Sequence, residues 1–433
     1  MKKKVAIIGS GLAGLGAAYH LKEHFDITIF EEKDQSFGQT KTFSINKHQD
    51  QLTVDVTFNA INETVDSNII QLFNKLQIPL KPASVSFGIQ QQRFGLEYGE
   101  ENINAFFAQP KRVFDGKQLQ LYFHIKRFHN NCLSDINEVN YSNHTLKQYA
   151  REKGLSAGLL NNYLIPISAI IWAVPFHKAA DFPAILTIQY LRKLIGSDQN
   201  SRNNWLTPEN WTLLTQKLDF PNLKKNKKVR FVKRQLEYGR MIVVLFFEDG
   251  SVEKFDKIIF ACHANQALRI LEDDATNLEY SLLRNFKYEK NKVLVHSDES
   301  VMPINKRAWA AFNYRMEEAG RVSLVKWVNR FEKAGLSGNY FVSINDSGKI
   351  DNKKVLGALE MELPLFDLKT LKTQEQLSKL NQLPEFEDRD KTTFFCGSYF
   401  KNGLYEETYK SAISCSEAVL HSQKNKMPEM KVL

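Results

Sequence analysis

Cysteine and glycine are both scarce in this chain of 433 residues, with 4 and 21 copies. The cysteines, Cys132, Cys262, Cys396 and Cys415, stand far apart and form no Cys-x-x-Cys pair. That excludes a zinc-finger-type site and a disulfide framework, and it fits a reducing, cytoplasmic setting. Long hydrophobic runs are missing too. The longest, Tyr163 to Phe176, contains Pro166 and Pro175 and falls short of the roughly 20 residues a bilayer span needs. Near the start, the apolar run Val5 to Ile8 stops at Gly9, so no secretory signal is expected there. Zinc knuckles, RNP-type aromatic motifs and basic-region heptads are absent, which leaves nucleic-acid binding without support.

What is present is ordinary globular material, 43% hydrophobic and 25% charged, and enough chain for about three structural units. Lysine and arginine exceed the acids by 58 to 49, a net charge of +9. Such a surplus is compatible with solvated faces alone and also permits contact with an anionic membrane surface. The densest basic run, Lys224 Lys225 Asn226 Lys227 Lys228, reads as a loop before a strand.

Against this background a glycine cluster near the start carries information. Val5 to Ile8 reads as a buried strand, Gly9 Ser10 Gly11 Leu12 Ala13 Gly14 as a tight turn, and Leu15 to Leu21 as a helix. A second strand, Asp26 to Phe30, ends in Glu31, 22 residues after Gly9. These are the parts of a βαβ dinucleotide fold: Gly9 for the turn, Gly11 for approach to a pyrophosphate, Gly14 for close packing of helix on strand, and Glu31 for a ribose. The helix N-terminus, with the backbone of Ser10, Leu12 and Ala13 around it, would receive the phosphates. A carboxylate at Glu31 disfavours a 2'-phosphate and therefore NADP.

Beyond Glu31 the chain resembles the flavin-containing amine oxidase and phytoene desaturase superfamily. Within it the chain is most similar to a group of bacterial predicted NAD/FAD-binding proteins with the pattern GGHTxT followed by VDxGFxxFN. The matching segments are Phe37 Gly38 Gln39 Thr40 Lys41 Thr42 and Val54 Asp55 Val56 Thr57 Phe58 Asn59 Ala60 Ile61 Asn62, in which Phe37, Gln39 and Thr57 replace a glycine, a histidine and a glycine. Tyr163 to Trp172, Ala261 to Leu268, Asn291 to Asp298 and Ala308 to Asn313 also follow the group, as does Phe395 Cys396 Gly397 Ser398 Tyr399 through Gly403 Leu404 Tyr405 Glu406 Glu407. Two further departures stand out: Asn210 Trp211 Thr212 Leu213 replaces a GGSR segment, and Tyr405 Glu406 Glu407 replaces HED.

The resemblance implies an α/β fold in which a Rossmann-type FAD-binding domain (1–65, 206–290, 386–425) is interrupted by insertions (66–205, 291–385). These insertions would build a substrate domain of mixed sheet and helices, with 426–433 as a tail. It implies FAD as cofactor, touched by Glu32, Gly38, Gln39, Thr40, Val229, Ala261, Gly397 and Glu406 besides the turn residues and Glu31. The activity it implies is hydride transfer from a C–H bond of an apolar small molecule or lipid to flavin N5. A redox-neutral flavin-dependent fatty-acid isomerase and a non-catalytic FAD-binding relic, suggested by the lost glycines, remain as alternatives. No catalytic side chain is identified; Tyr399 and Tyr405 are candidates for the pocket or for packing. No metal site and no oligomeric state follow from the sequence.

Three further expectations concern local structure. Residues 63–80 read as a helix ended by Pro79, 83–125 as strands mixed with loops, and 144–195 as mostly helical. Tyr163 to Trp172 reads as core, with a tunnel wall as the alternative. Cys262 and His263 are expected on opposite faces of a strand and so not as a dyad, while His296 and Asp298 are read as a buried structural pair.

Overall fold

The computed structural model describes residues 2–34, 42–47, 50–57, 60–135, 143–195, 204–218, 220, 222–332, 335–382 and 391–424. Its first layer is a five-stranded parallel sheet in the spatial order 223–224, 26–30, 4–8, 257–260, 393–395. The strands are short, continuous apolar runs, as expected where both faces are covered. Val5, Ile7, Ile29 and Ile259 face a core shared with the helices Leu12–Leu21 and Tyr405–Lys424. Ala6, Ile8, Ile258 and Phe260 face the opposite core, closed by the helix Ala264–Leu271 and an antiparallel meander of 229–237, 240–247 and 252–255.

The helix Leu12–Leu21 is almost entirely buried, which its composition of Ala, Gly and Leu permits. A Cβ on Gly14 would lie 2.0 Å from the Gly9 carbonyl oxygen, and one on Gly16 would lie 2.9 Å from the Tyr409 ring. Only glycine allows the helix to lie so close to both neighbours.

The second layer is a seven-stranded sheet in the order 355–365, 287–296, 341–344, 322–327, 312–316, 87–91, 96–99. The helices Gly116–Asp135, Ile165–Trp172 and Ala184–Ile195 pack with it in the largest core cluster. The long helix from 116 lies partly where a mixture of strands and loops was expected. Its buried residues Leu121, Ile125 and Phe128 follow helical spacing, but exposed Leu119 and Phe123 put apolar residues on the outer face too and blur the period.

The helix expected over 63–80 is shorter, Ser67–Lys75, and the chain beyond it turns into the strand Leu80–Pro82 beside Trp205–Pro208. Ile69, Leu72, Phe73 and Ile78 of this stretch, expected in the substrate domain, pack into the core of the parallel sheet. Its N-terminus is capped from afar. The carboxylate of Asp66, at the cap position, is taken by the backbone N–H of Asn62 and by Lys193 Nζ. Glu406 fills the gap: its two oxygens accept from the backbone N–H of Asn68 at 3.3 Å and of Ile69 at 3.0 Å, with the Asn68 side chain also donating. A buried carboxylate at a helix N-terminus satisfies orphan donors and meets the positive end of the dipole. Glu406→Ala is therefore expected to lower stability by about 1–2 kcal/mol in denaturant unfolding.

Candidate functional site

One large cavity, about 1000 Å³, runs along the carboxyl ends of the parallel strands and continues between the two sheets. Its volume lies at the upper end of the range for ligand sites. At one end the wall is the turn after the first strand. Gly9, with φ +105°, donates its N–H to the Phe30 carbonyl at 2.9 Å, a conformation that L-residues with a Cβ rarely take. Ser10, Gly11, Leu12 and Ala13 line the cavity at the start of the helix, whose first turn holds no acidic side chain to compete for its free N–H groups.

Glu31 stands beside this turn. One carboxylate oxygen accepts from the Ser10 hydroxyl at 2.7 Å and the Ser10 N–H at 3.1 Å, and the other from the Lys33 N–H at 3.1 Å. These bonds fix the carboxylate in the wall at the strand end, where a ribose would lie. Glu32, Val229 and Ala261 line the same cavity. Ala261 sits so close to the turn that a Cβ on Gly9 would be 3.0 Å from its carbonyl oxygen. Gly397 joins from the last strand with φ +152°. Gly38, Gln39 and Thr40, with Phe37, lie outside the described residues. The residues present thus offer a helix end with free N–H groups, a fixed carboxylate at the strand end and a close backbone approach, a set that fits a dinucleotide cofactor.

Three expected site residues do not line the cavity. Gly14 is packed under the turn, where a Cβ would lie 2.0 Å from the Gly9 carbonyl oxygen. Glu406 is committed to the helix Ser67–Lys75, as described above. Tyr399 is fully buried in the core against Phe286 and Phe400, and burial drives its phenol well above the usual range. Tyr405, by contrast, lines the cavity. Its hydroxyl lies 2.7 Å from the Thr57 hydroxyl and donates to Asp55 Oδ2 at 3.2 Å, while the Thr57 hydroxyl donates to the same carboxylate oxygen at 2.6 Å.

This cluster accounts for three departures from the resembled pattern at once. Thr57 bonds Tyr405, and Trp211 packs on the Tyr405 ring at 4.4 Å between centroids. The two bulky replacements of glycine therefore meet at the residue that replaces the histidine, and Trp211 lies in the core rather than in the cavity. Beneath them is a residue with no sequence signal, Lys326. Its buried ammonium donates to the carbonyl oxygens of Asp55 at 2.9 Å and Thr57 at 3.2 Å and sits 4.1 Å from the Phe331 ring centre. Burial holds its pKa below the usual lysine range. It pins the segment that carries Val56 and Thr57 into the wall.

The far end of the cavity is apolar. Val56, Ile170, Ile171, Ile344 and Met361 belong to one hydrophobic cluster, and Leu363 packs against it. The stretch Tyr163 to Trp172 is thus both core and wall: most of it is buried, Ile170 and Ile171 face the cavity, and Trp172 Nε1 is tied to the Asn402 carbonyl at 2.9 Å.

Cys262 and His263 do not alternate on a strand; they lie past its end at Phe260, and both line the cavity. They still do not make a nucleophile and base. Desolvation pushes the Cys262 thiol up to about 12, and the His263 ring stacks on Tyr288 at 4.2 Å beside Glu362.

His296 and Asp298 lie away from the cavity and are structural. The Asp298 N–H donates to His296 Nδ1, which leaves the proton on Nε2 to bond Ser343 Oγ at 2.8 Å, while the Asp298 carboxylate takes the Asp351 and Ser300 N–H groups and Lys354. Burial lowers the His296 pKa to about 4. Above pH 6.5 the ring is neutral in folded and unfolded chains alike; below it only the unfolded chain takes a proton. Stability is therefore expected to fall by roughly 3 kcal/mol between pH 6.5 and 4 through this group, and His296→Gln should flatten that part of a urea-unfolding profile.

With this geometry in place, similarity to known proteins can be stated. Residues 7–76 match a family model described as an NAD(P)-binding Rossmann-like domain. No curated protein sequence matches the chain. Solved structures share the architecture over nearly its whole length. A putrescine oxidase with redesigned cofactor binding superposes with TM-score 0.68 at 12% identity, covering 97% of this chain and 99% of its own. Cyclohexylamine oxidase from Brevibacterium oxydans gives 0.66 at 12% over 98% and 100%. A fatty acid isomerase from P. acnes that produces CLA gives 0.65 at 13% over 97% and 98%. The chain thus has a Rossmann-type α/β nucleotide-binding unit and a second mixed layer, in the fold that these enzymes share.

Proposed function

We propose that the protein is an FAD-dependent oxidoreductase that takes hydride from a C–H bond of an apolar small molecule or lipid. The observation that carries this reading is the continuity of one cavity from the dinucleotide cradle at Gly9–Ala13 and Glu31 to the apolar end at Val56, Ile170, Ile171, Ile344 and Met361. The proposal includes the expected domain division, with residues 66–78 assigned to the nucleotide side because Ile69, Leu72, Phe73 and Ile78 pack into the parallel-sheet core.

When bound, FAD would supply a two-electron acceptor for the hydride. The chain's own residues would do the rest. The N-terminus of the helix Leu12–Leu21 would hold the pyrophosphate, and Glu31 would accept from the ribose hydroxyls. The helix Tyr405–Lys424 begins at the cavity, with Tyr405 and Thr408 in the wall. The aliphatic wall would exclude water and orient the substrate by shape.

An apolar substrate is the reading we favour because of the aliphatic end of the wall, at Val56, Ile170, Ile171, Ile344 and Met361. Among the wall's carboxylates, Glu31 accepts from the Ser10 and Lys33 N–H groups, Glu248 pairs with Lys228, and Glu362 with His263. The same apolar lining supports a second reading, redox-neutral isomerisation of an unsaturated fatty acid.

Freshly purified protein is expected to show a flavin absorption band, and Glu31→Ala to weaken FAD binding by about tenfold or more in a fluorescence titration. Protein that is colourless and cannot be reconstituted sinks the proposal, as unchanged affinity sinks the role of Glu31. Anaerobic addition of unsaturated fatty acids should bleach the flavin of an oxidoreductase and leave that of an isomerase oxidised after turnover.

A further inference from the structure

We propose that the surface formed by the start of the helix Gly116–Asp135 and the loops beside it docks on an anionic lipid membrane. Large apolar side chains gather here in the open: Phe114 is 91% exposed, Ile304 91%, Phe123 63%, Phe94 57% and Ile103 56%. Isolated exposed apolar residues are ordinary, but a group of them marks an interaction surface. Hydrogen bonds join the segments that carry them. Arg112, two residues before Phe114, bonds the Phe94 carbonyl and lies beside Gly95. The Glu97 carboxylate takes the N–H groups of Ile304 and Asn305, and the Glu97 N–H donates to the Gln109 side chain.

Charge identifies the partner. Between residues 111 and 130 the exposed charged side chains, Lys111, Lys117, Lys126 and Arg127, are all cationic. The one acid of that stretch, Asp115, is occupied by Arg112 and by the Lys117 N–H. Leu119 and Phe123, one turn apart, share a helix face with Lys126 and Arg127. Exposed aromatics set among lysines and arginines suit the boundary of headgroups and acyl chains, where the rings insert and the cations meet anionic lipid. No helix among the described residues is long and apolar enough to cross a membrane, so the contact is peripheral. The other face of this helix, Leu121, Ile125 and Phe128, packs in the same cluster as Ile170 and Ile171 of the cavity wall. A membrane-bound molecule would thus hold its apolar cavity end one layer from the lipid.

The test is co-sedimentation of the full chain with vesicles of phosphatidylcholine alone or with 30 mol% phosphatidylglycerol, recording flavin absorbance in the same samples. Binding is expected with the anionic vesicles only and should be released at 1 M salt. Phe114→Ser/Phe123→Ser and Lys111→Glu/Lys117→Glu should each cut it at least about tenfold, while Tyr238→Ser, an exposed aromatic on a distant hairpin, leaves it unchanged. Three results would overturn the proposal: no binding to anionic vesicles, equal binding by the double variants, or a wild-type dimer in sedimentation velocity that Phe114→Ser/Phe123→Ser turns into monomer. None depends on whether flavin is bound, so the proposed activity and the proposed docking fail separately.

Discussion

The helix Leu12–Leu21 is held from two sides with no room for one additional carbon, against the turn at Gly9 and against the ring of Tyr409. Everything at the site follows from that confinement. Because the helix cannot retreat from the sheet, its free N–H groups stay at the strand ends, where a pyrophosphate can reach them. Because the helix Tyr405–Lys424 lies against it, the beginning of that second helix is carried to the same place. Tyr405 and Glu406 then act in opposite directions, one into the cavity wall and the other into the cap of a remote helix. Packing density, more than any single polar bond, sets the geometry.

The parts legible in the sequence are those whose signal is local. Strand, glycine turn, helix and Glu31 occupy 28 consecutive positions from Lys4, and each has a composition that its neighbours do not blur. The parts that were not legible depend on partners far along the chain. Glu406 looks like an ordinary first-turn acid until it is seen to bond residues 338 and 337 positions away. Lys326 reads as one lysine among many in an alternating strand, and only the fold places its ammonium under the carbonyls of Asp55 and Thr57, some 270 residues earlier. Cys262 and His263 were expected to alternate because the strand was drawn too long by two or three residues, a boundary error that propensity cannot prevent.

Charge tells a similar story. The basic run Lys224 to Lys228, read in the sequence as a loop before a strand, is largely neutralised: Lys224, Lys227 and Lys228 pair with Glu253, Asp249 and Glu248 of the neighbouring meander and its turn. The exposed cations around Phe114 and Phe123 have no such acidic neighbours along the chain, since from 111 to 130 the one acid is Asp115. Likewise, replacements that read singly as losses, at Thr57, Trp211 and Tyr405, are one repacked cluster, which is how a core absorbs a change in volume without collapse.

The parallel sheet is drawn from strands at 4–8, 26–30, 223–224, 257–260 and 393–395, and its first helix is sealed by residues beyond 405. The turn at Gly9 is therefore completed only when segments far along the chain, at 393–395 and beyond 405, have packed on it. Until the strand 393–395 is in place, one edge of Lys257–Phe260 is unpaired and the apolar face of Leu12–Leu21 uncovered, and such non-local contacts form late in folding. A ligand that arrived earlier would meet only half a cradle, so assembly of the cavity depends on contacts between distant parts of the chain.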